Sequence, residues 1–371
     1  MTANEMPPKG RRILALVTDA YGGYGGIAAY NRDVLEALRL DNRVDEIVVL
    51  PRSISAPVEG VPEKVVFQMW AARGALSFLL ASFREAFLAP RPALIYCAHI
   101  HLSPLARALS WLTGAPWVLC LYGVDGWGLS GRWLVDRSAG KADHYVIISH
   151  VTLERFRKTW PVHPERCTIV FNAIHAEQFA VGPKKASLEA RYGIAGKTVL
   201  MTLGRMDPTE QAKGFDRIIA LLPRLAATLP NVAYLICGTG GDRPRLERLA
   251  RDCGVTDRVI FAGGVDEEEK ADHYRLADLY VMPSKLEGFG FVFVEALACG
   301  VPVVASSIDG GRDAVLQGEI GLVVDPFDSD ALLDAIHAGL KAPRVIPEKL
   351  SYFSFENFRR RLTKAVGRYL S

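Results

Sequence analysis

Apolar residues along the chain fall into short, β-branched runs, separated by stretches where they recur every three or four positions. The first half carries "RILALVTDA", "EIVVL", "ALIYCAHI", "PWVLCLYG" and "HYVIISH". The second half repeats the scheme with "KTVLMTLG", "VAYLICGTG", "RVIFAGGV", "LYVMPS", "VPVVASS" and "GLVVD". Continuous apolar runs alternating with helical patterns predict parallel sheets covered on both faces. The polar stretch "FAVGPKKASLEARYGIAGK" interrupts the pattern before it restarts, so it is taken as a linker. The expected organisation is an α/β protein of two Rossmann-like domains, 1–180 and 181–350, facing each other across a ligand-binding cleft. The final segment, 351–371, is aromatic and basic at helical spacing and predicts a terminal amphipathic helix.

Length agrees with two cores, since 371 residues are many for one. A net charge of +3 is too small to imply nucleic-acid binding. Its slight positive excess lies in the first 180 residues, where it suits either an anionic lipid surface or a plain solvated face. Six cysteines, with no CxxC pair, read as reduced core residues of a cytosolic chain. "MTANEMPPKGRR" lacks the apolar core of a leader, and no apolar run reaches the ~20 residues of a membrane span. Peripheral membrane contact through "FQMWAARGALSFLLASF" is one reading of that segment; a domain-core helix is the simpler one.

Candidate chemistry centres on "LEGFGFVFVEALACG". Glu295 is the single charge between Gly288 and Ile308, and Glu287 stands just before that run. Gly288 and Gly290 oppose a helix through Glu287, while Gly300 and Pro302 are stop signals. The prediction is a loop carrying Glu287, then a helix from about Gly290 to Cys299 with Glu295 in its second turn. N–H groups of Gly288 to Val292 would then point at one spot suited to a phosphate or polar sugar edge.

This pattern of Glu, seven residues, Glu, then "ALACGVPVVAS", resembles the signature of retaining GT-B glycosyltransferases of family 4 (glycosyl transferases group 1). The resemblance implies that Glu287 contacts the donor sugar and Glu295 the ribose hydroxyls, with Gly288, Phe289, Gly290 and Phe291 lining the donor. "LGRMDPTEQAKGFDRII" is similar to the family's Gly-Arg…Lys-Gly segment, so Arg205 and Lys213 would clamp the diphosphate. Two fixed cations stabilise a leaving diphosphate without a metal. The glycines of "GGYGGIAAY", with Gly25 and Gly26 foremost, resemble the family's pair lining the cleft, and Gly204 and Gly238 would border the nucleotide. A hydride-transfer enzyme would carry an acid at the end of its second strand, where this chain has "PRS".

"LYGVDGWG" aligns with the family's His-Gly segment but has Tyr122 in place of the His. Tyr122 supplies a hydroxyl there, or Asp125 takes over part of the role. His99 is the candidate on the acceptor side. His99 and His101 would share one face if their strand continued. Val265, Glu267 and Lys270 in "FAGGVDEEEKADHY" resemble the base-holding segment, where a carboxylate would favour guanine. A charged helix start, Asp266 to Glu269, explains the same residues. "DSD" at Asp328–Asp330 reads as a helix cap instead of a metal motif.

The resemblance thus implies a metal-independent, retaining transfer of a hexose, mannose from GDP-mannose foremost, to a glycan or lipid-linked acceptor. No cofactor is implied beyond the nucleotide diphosphate sugar itself. A UDP-sugar-dependent relative and a non-catalytic nucleotide-sugar-binding protein are the alternatives. The last helix would cross back to the first domain.

Overall fold

The structure, a computed structural model, describes residues 11–370. The N-terminal stretch read above for a leader lies largely outside them. Contacts divide the chain into two compact units. One runs to Ala173 and resumes at Phe355, and the other is Ile174–Ser354.

The first unit holds β1 (Arg11–Val17), β2 (Val44–Pro51), β3 (Val65–Phe67), β4 (Leu94–Cys97), β5 (Trp117–Leu121), β6 (His144–Ile147) and β7 (Cys167–Ile169). All pair in parallel, in the order β3-β2-β1-β4-β5-β6-β7. Five of these strands are the apolar runs of the sequence. The two edge strands have three residues each and only part-bury, too little for a hydrophobic pattern. Alternate positions such as Leu14, Leu16, Ile95 and Cys97 share one core with Phe78, Leu109 and Phe156 from the covering helices. The helix Phe355–Val366 packs against Gly26–Arg39 and buries Phe358, Leu362 and Val366. Phe358 meets the Tyr30 ring edge-on, centroids 5.3 Å apart.

One sequence expectation holds only in part. The helix Ala75–Phe87 in "FQMWAARGALSFLLASF" adds Phe78, Ala81 and Ala86 to the core but leaves its other large apolar side chains outside it. Phe78 and Ala81 are buried together with Ser82 and Glu85, while Leu76, Leu79, Leu80, Phe83 and Phe87 are exposed. The buried Glu85 is claimed by the Arg12 guanidinium on β1, which turns the polar positions inward.

The second unit holds β8 (Thr198–Leu203), β9 (Val232–Cys237), β10 (Val259–Gly263), β11 (Leu279–Met282), β12 (Val303–Ser306) and β13 (Leu322–Val324). Its parallel order is β10-β9-β8-β11-β12-β13, and each strand is one of the apolar runs. The supposed linker is part of this unit: it forms the helix Ala186–Tyr192, and Lys184 and Lys185 pair with Asp278 and Asp272 at 2.8 Å. Ile174 and Ser354 are joined by a parallel bridge, with the Ile174 N–H donating to Phe353 O at 2.8 Å. The divisions at 173/174 and 354/355 thus fall a few residues from 180 and 350. "DSD" is a cap as expected: Asp328 accepts from the N–H groups of Asp330 and Ala331.

Candidate functional site

In the second unit the chain moves outward from β8 through β9 and β10, then returns to β11 on the other side. Loops leaving the carboxyl ends of β8 and β11 therefore diverge. Such a switch point opens a crevice at the strand ends in parallel sheets. Those loops carry Gly204, Arg205 and Lys213 on one side and Glu287 to Gly290 on the other.

Arg205 follows β8 with its side chain largely exposed, 3.7 Å from Asp207 and 3.8 Å from Glu210. Lys213 ends the same loop, and its ammonium is ion-paired with Glu287 from the β11 loop, both part-buried. Lys213 is thus brought to the predicted sugar-contact carboxylate. Gly214 then starts the helix Phe215–Thr228 at φ 74°, where a Cβ would lie 2.3 Å from the Pro283 carbonyl oxygen. Gly238, at φ 130°, packs its Cα against the Gly204 carbonyl oxygen, which a Cβ would approach to 2.1 Å. Backbone thus packs on backbone where β8 and β9 end, and no side chain fits between.

Glu287 is held through its backbone. Its N–H donates to Asp309 Oδ2 at 2.9 Å, and its carbonyl accepts from the Gly310 N–H at 2.8 Å. Asp309 is fully buried, and burial pushes its carboxyl up to about 6 against the stabilising Glu287 N–H. Asp309 belongs to none of the motifs picked out in the sequence. Phe289 is buried edge-on against Phe291 and Phe353. Past Gly288 and Gly290, the latter in left-handed backbone, the helix Phe291–Ala298 starts without a side-chain cap.

Glu295 lies one turn into that helix, as expected, and is buried. Its carboxylate accepts from Lys270 Nζ at 2.7 Å and from Tyr274 Oη at 2.6 Å. Desolvation opposes the Lys270 charge, but Glu295 more than offsets it and the ammonium titrates above its ordinary range. Lys270 also reaches Glu267 at 2.9 Å. Glu267 itself is exposed in the turn Glu267–Glu269, after the half-buried Val265. The resemblance placed Lys270 with the base; the fold ties it to Glu295, the carboxylate expected to meet the ribose.

In the first unit Gly25, at φ 87°, precedes Gly26 at the start of the helix Gly26–Arg39, with open space where a Cβ would stand. Tyr122 follows β5. Its hydroxyl donates to Asn31 Oδ1, and its ring meets Tyr30 edge-on at 5.5 Å. Asn31 in turn donates to the Asp19 carbonyl at 2.8 Å, linking the β5 end to the glycine loop. Asp125 accepts from the Tyr122 N–H at 3.0 Å, while its other oxygen is shielded and makes no hydrogen bond. Burial pushes its carboxyl up to about 7. β4 stops at Cys97, so His99 and His101 do not alternate along a strand. His99 Nδ1 accepts from the His101 N–H at 3.1 Å, and burial lowers its imidazole to about 4. Among the described residues no group of three or more His, Cys, Asp or Glu is arranged to hold a metal. No described helix is long and apolar enough to cross a membrane.

Comparison with known proteins bears on the family and the fold. The model for "Glycosyl transferases group 1" matches residues 185–355, and "Glycosyl transferase 4-like domain" matches 25–173. A GDP-mannose-dependent alpha-(1-6)-phosphatidylinositol monomannoside mannosyltransferase of Mycolicibacterium smegmatis is 34% identical over 229 residues, 59% of each chain. A D-inositol 3-phosphate glycosyltransferase of Mycobacteroides abscessus is 32% identical over 255 residues, 66% of this chain and 55% of that one. The chain thus spans about three fifths of the length of the curated relatives it matches. In fold it is similar to Anabaena HepE, solved in complex with UDP, at TM-score 0.74 and 20% identity over 96% of this chain and 100% of that one. Both units fall under a matching model, and the chain belongs to the glycosyl transferases group 1 family, with the GT-B fold.

Proposed function

We propose that the chain is a retaining glycosyltransferase that moves a hexose, by preference mannose from GDP-mannose, onto a hydroxyl of a glycan or glycolipid. The observation that carries this reading is the pair of carboxylates on one short segment, each already held by a cation. Glu287 with Lys213 would meet the sugar and its phosphate, and Glu295 with Lys270 and Tyr274 the ribose. The M. smegmatis relative is a GDP-mannose-dependent mannosyltransferase, which supports mannose and guanine.

In this reading the bond from the anomeric carbon to the diphosphate oxygen breaks as the acceptor oxygen attacks from the same face. The acceptor proton passes to the leaving phosphate. Arg205 and Lys213 stabilise the charge on the diphosphate, the part a metal plays elsewhere. Six free cysteines support a reducing, cytosolic setting.

Tyr122, standing where the family's His is expected, favours a second reading as a nucleotide-sugar-binding protein without turnover. A thermal-shift screen of GDP-mannose, UDP-glucose and UDP-N-acetylglucosamine, followed by donor turnover in excess chelator, separates the readings. Stabilisation by GDP-mannose with chelator-resistant transfer or slow donor hydrolysis is the expected result. Binding without either would leave only the second reading, and loss of activity in chelator would refute the metal-free step.

A further inference from the structure

Glu287 takes its place from a second loop. Asp309, after β12, accepts from the Glu287 N–H at 2.9 Å through Oδ2 and from the Gly311 N–H at 3.0 Å through Oδ1. The Gly310 N–H donates to the Glu287 carbonyl at 2.8 Å, so both peptide groups of Glu287 are held by one neighbour. The two loops touch backbone to backbone there, since a Cβ on Gly310 would stand 2.0 Å from the Gly288 carbonyl oxygen. The Asp309 loop is anchored in turn. The Ser307 N–H donates to the Val324 carbonyl at 2.9 Å, and the Ile308 N–H to Ser306 Oγ at 3.3 Å.

A fully buried carboxylate is costly, and packing alone gives no reason to keep one here. Both of its oxygens accept N–H groups, the arrangement that suits the ionised form. Burial nonetheless brings the carboxyl up to about 6, with the Glu287 N–H lowering it and the Glu287 carboxylate raising it again. The charged groups on the surrounding elements are few. Glu287 and Lys285 lie on the β11 loop, and Lys213 is paired with Glu287. Arg312 and Asp313 lie on the helix Gly311–Ala314, where Asp313 accepts from Gln317 Nε2 at 2.7 Å. Glu295, on Phe291–Ala298, is held by Lys270. A proton on either Asp309 oxygen weakens the N–H bond which that oxygen accepts.

We propose that Asp309 is a positioning residue for the transfer: its ionised carboxylate fixes the Glu287 backbone where the Glu287 side chain can meet the donor sugar, and turnover falls as Asp309 takes up a proton. Asp309 touches neither substrate nor reacting atoms in this role and acts through Glu287 alone. The role rests on the transferase reading, in which Glu287 is the sugar contact.

Turnover of GDP-mannose by the whole chain, as transfer or hydrolysis, measured between about pH 5 and about pH 8, tests the proposal. In the wild type kcat should fall about tenfold per pH unit below about pH 6. Asp309→Asn keeps the shape and one acceptor oxygen but not the charge. At about pH 8 its kcat should be about tenfold lower, and its acid limb should be absent. Its melting temperature there should hold or rise, because a buried charge is gone; a purely structural role would lower melting and leave the pH profile's shape alone. Where the variant does not fold, hydrogen exchange of the wild-type Glu287 amide, corrected for its intrinsic rate, reads the same contact. Its protection should drop several-fold between about pH 7 and about pH 5. A wild-type profile flat through about pH 6, an acid limb that survives in Asp309→Asn, or unchanged amide protection overturns the role. Absence of any donor turnover in the wild type is a different failure: it refutes the transferase reading and takes this role with it.

Discussion

Lys270 holds its ammonium 2.7 Å from Glu295 Oε1, joining the start of one helix to the second turn of another. Removing one partner of a mostly buried pair leaves the other charge uncompensated. Lys270→Met should therefore destabilise the second unit by about 2–3 kcal/mol in urea unfolding and weaken donor binding. Tyr274→Phe, which removes only a hydroxyl from the same carboxylate, should cost ~1 kcal/mol. Equal effects from the two variants would contradict the ion-pair account.

Arg205 offers a cleaner test of chemistry than of stability, because its side chain is 71% exposed. Arg205→Ala should leave the melting temperature unchanged and raise the barrier to transfer by ~2–4 kcal/mol. Lys213→Met and Glu287→Gln should each lower turnover, and their combined effect should fall short of the sum because they share one contact. Wild-type turnover in Arg205→Ala would remove it from the reaction.

Two glycines should separate backbone strain from steric exclusion. Gly25→Ala meets open space and only its positive φ, so a loss of ~1 kcal/mol is expected. Gly238→Ala drives a methyl into the Gly204 carbonyl oxygen and should displace the β8 loop that carries Arg205. A loss above ~3 kcal/mol, with abolished donor binding, is the expected outcome. Similar melting of both variants would refute the distinction.

Asp125 makes the first unit's stability depend on pH in a definite direction. Burial raises its folded carboxyl to about 7, whereas an unfolded Asp titrates near ~3.9. The folded state therefore holds the proton more tightly. Its stabilising contribution is complete below about pH 4 and is lost as pH rises toward 7. Relative to the wild type, Asp125→Asn should remove on the order of 2–4 kcal/mol of that decline between about pH 4 and pH 8, read from urea midpoints. An unchanged slope would mean that Asp125 is ionised throughout.

How far the sequence spoke for this molecule depended on how local each feature is. Strands buried on both faces announce themselves as unbroken apolar runs, so the six strands of the second unit and five of the first were legible. β3 and β7 were not, because three half-buried residues make no pattern. Glu287 and Glu295 were found through their spacing on one segment, whereas Asp309 and Tyr274 act on them from segments whose proximity exists only after folding. The helix Ala75–Phe87 was only half legible for a related reason. Periodicity shows that a stripe exists but not which way it faces, and the Arg12–Glu85 pair that decides this spans distant parts of the chain.

The helix Phe355–Val366 completes the core of a unit whose other residues end at Ala173. On the ribosome, every residue of Ile174–Ser354 emerges before that core can close, so the unit synthesised first is the one finished last. Chains released at residue 354 should carry a protease-resistant second unit beside a first unit that lacks Phe358, Leu362 and Val366 and is digested.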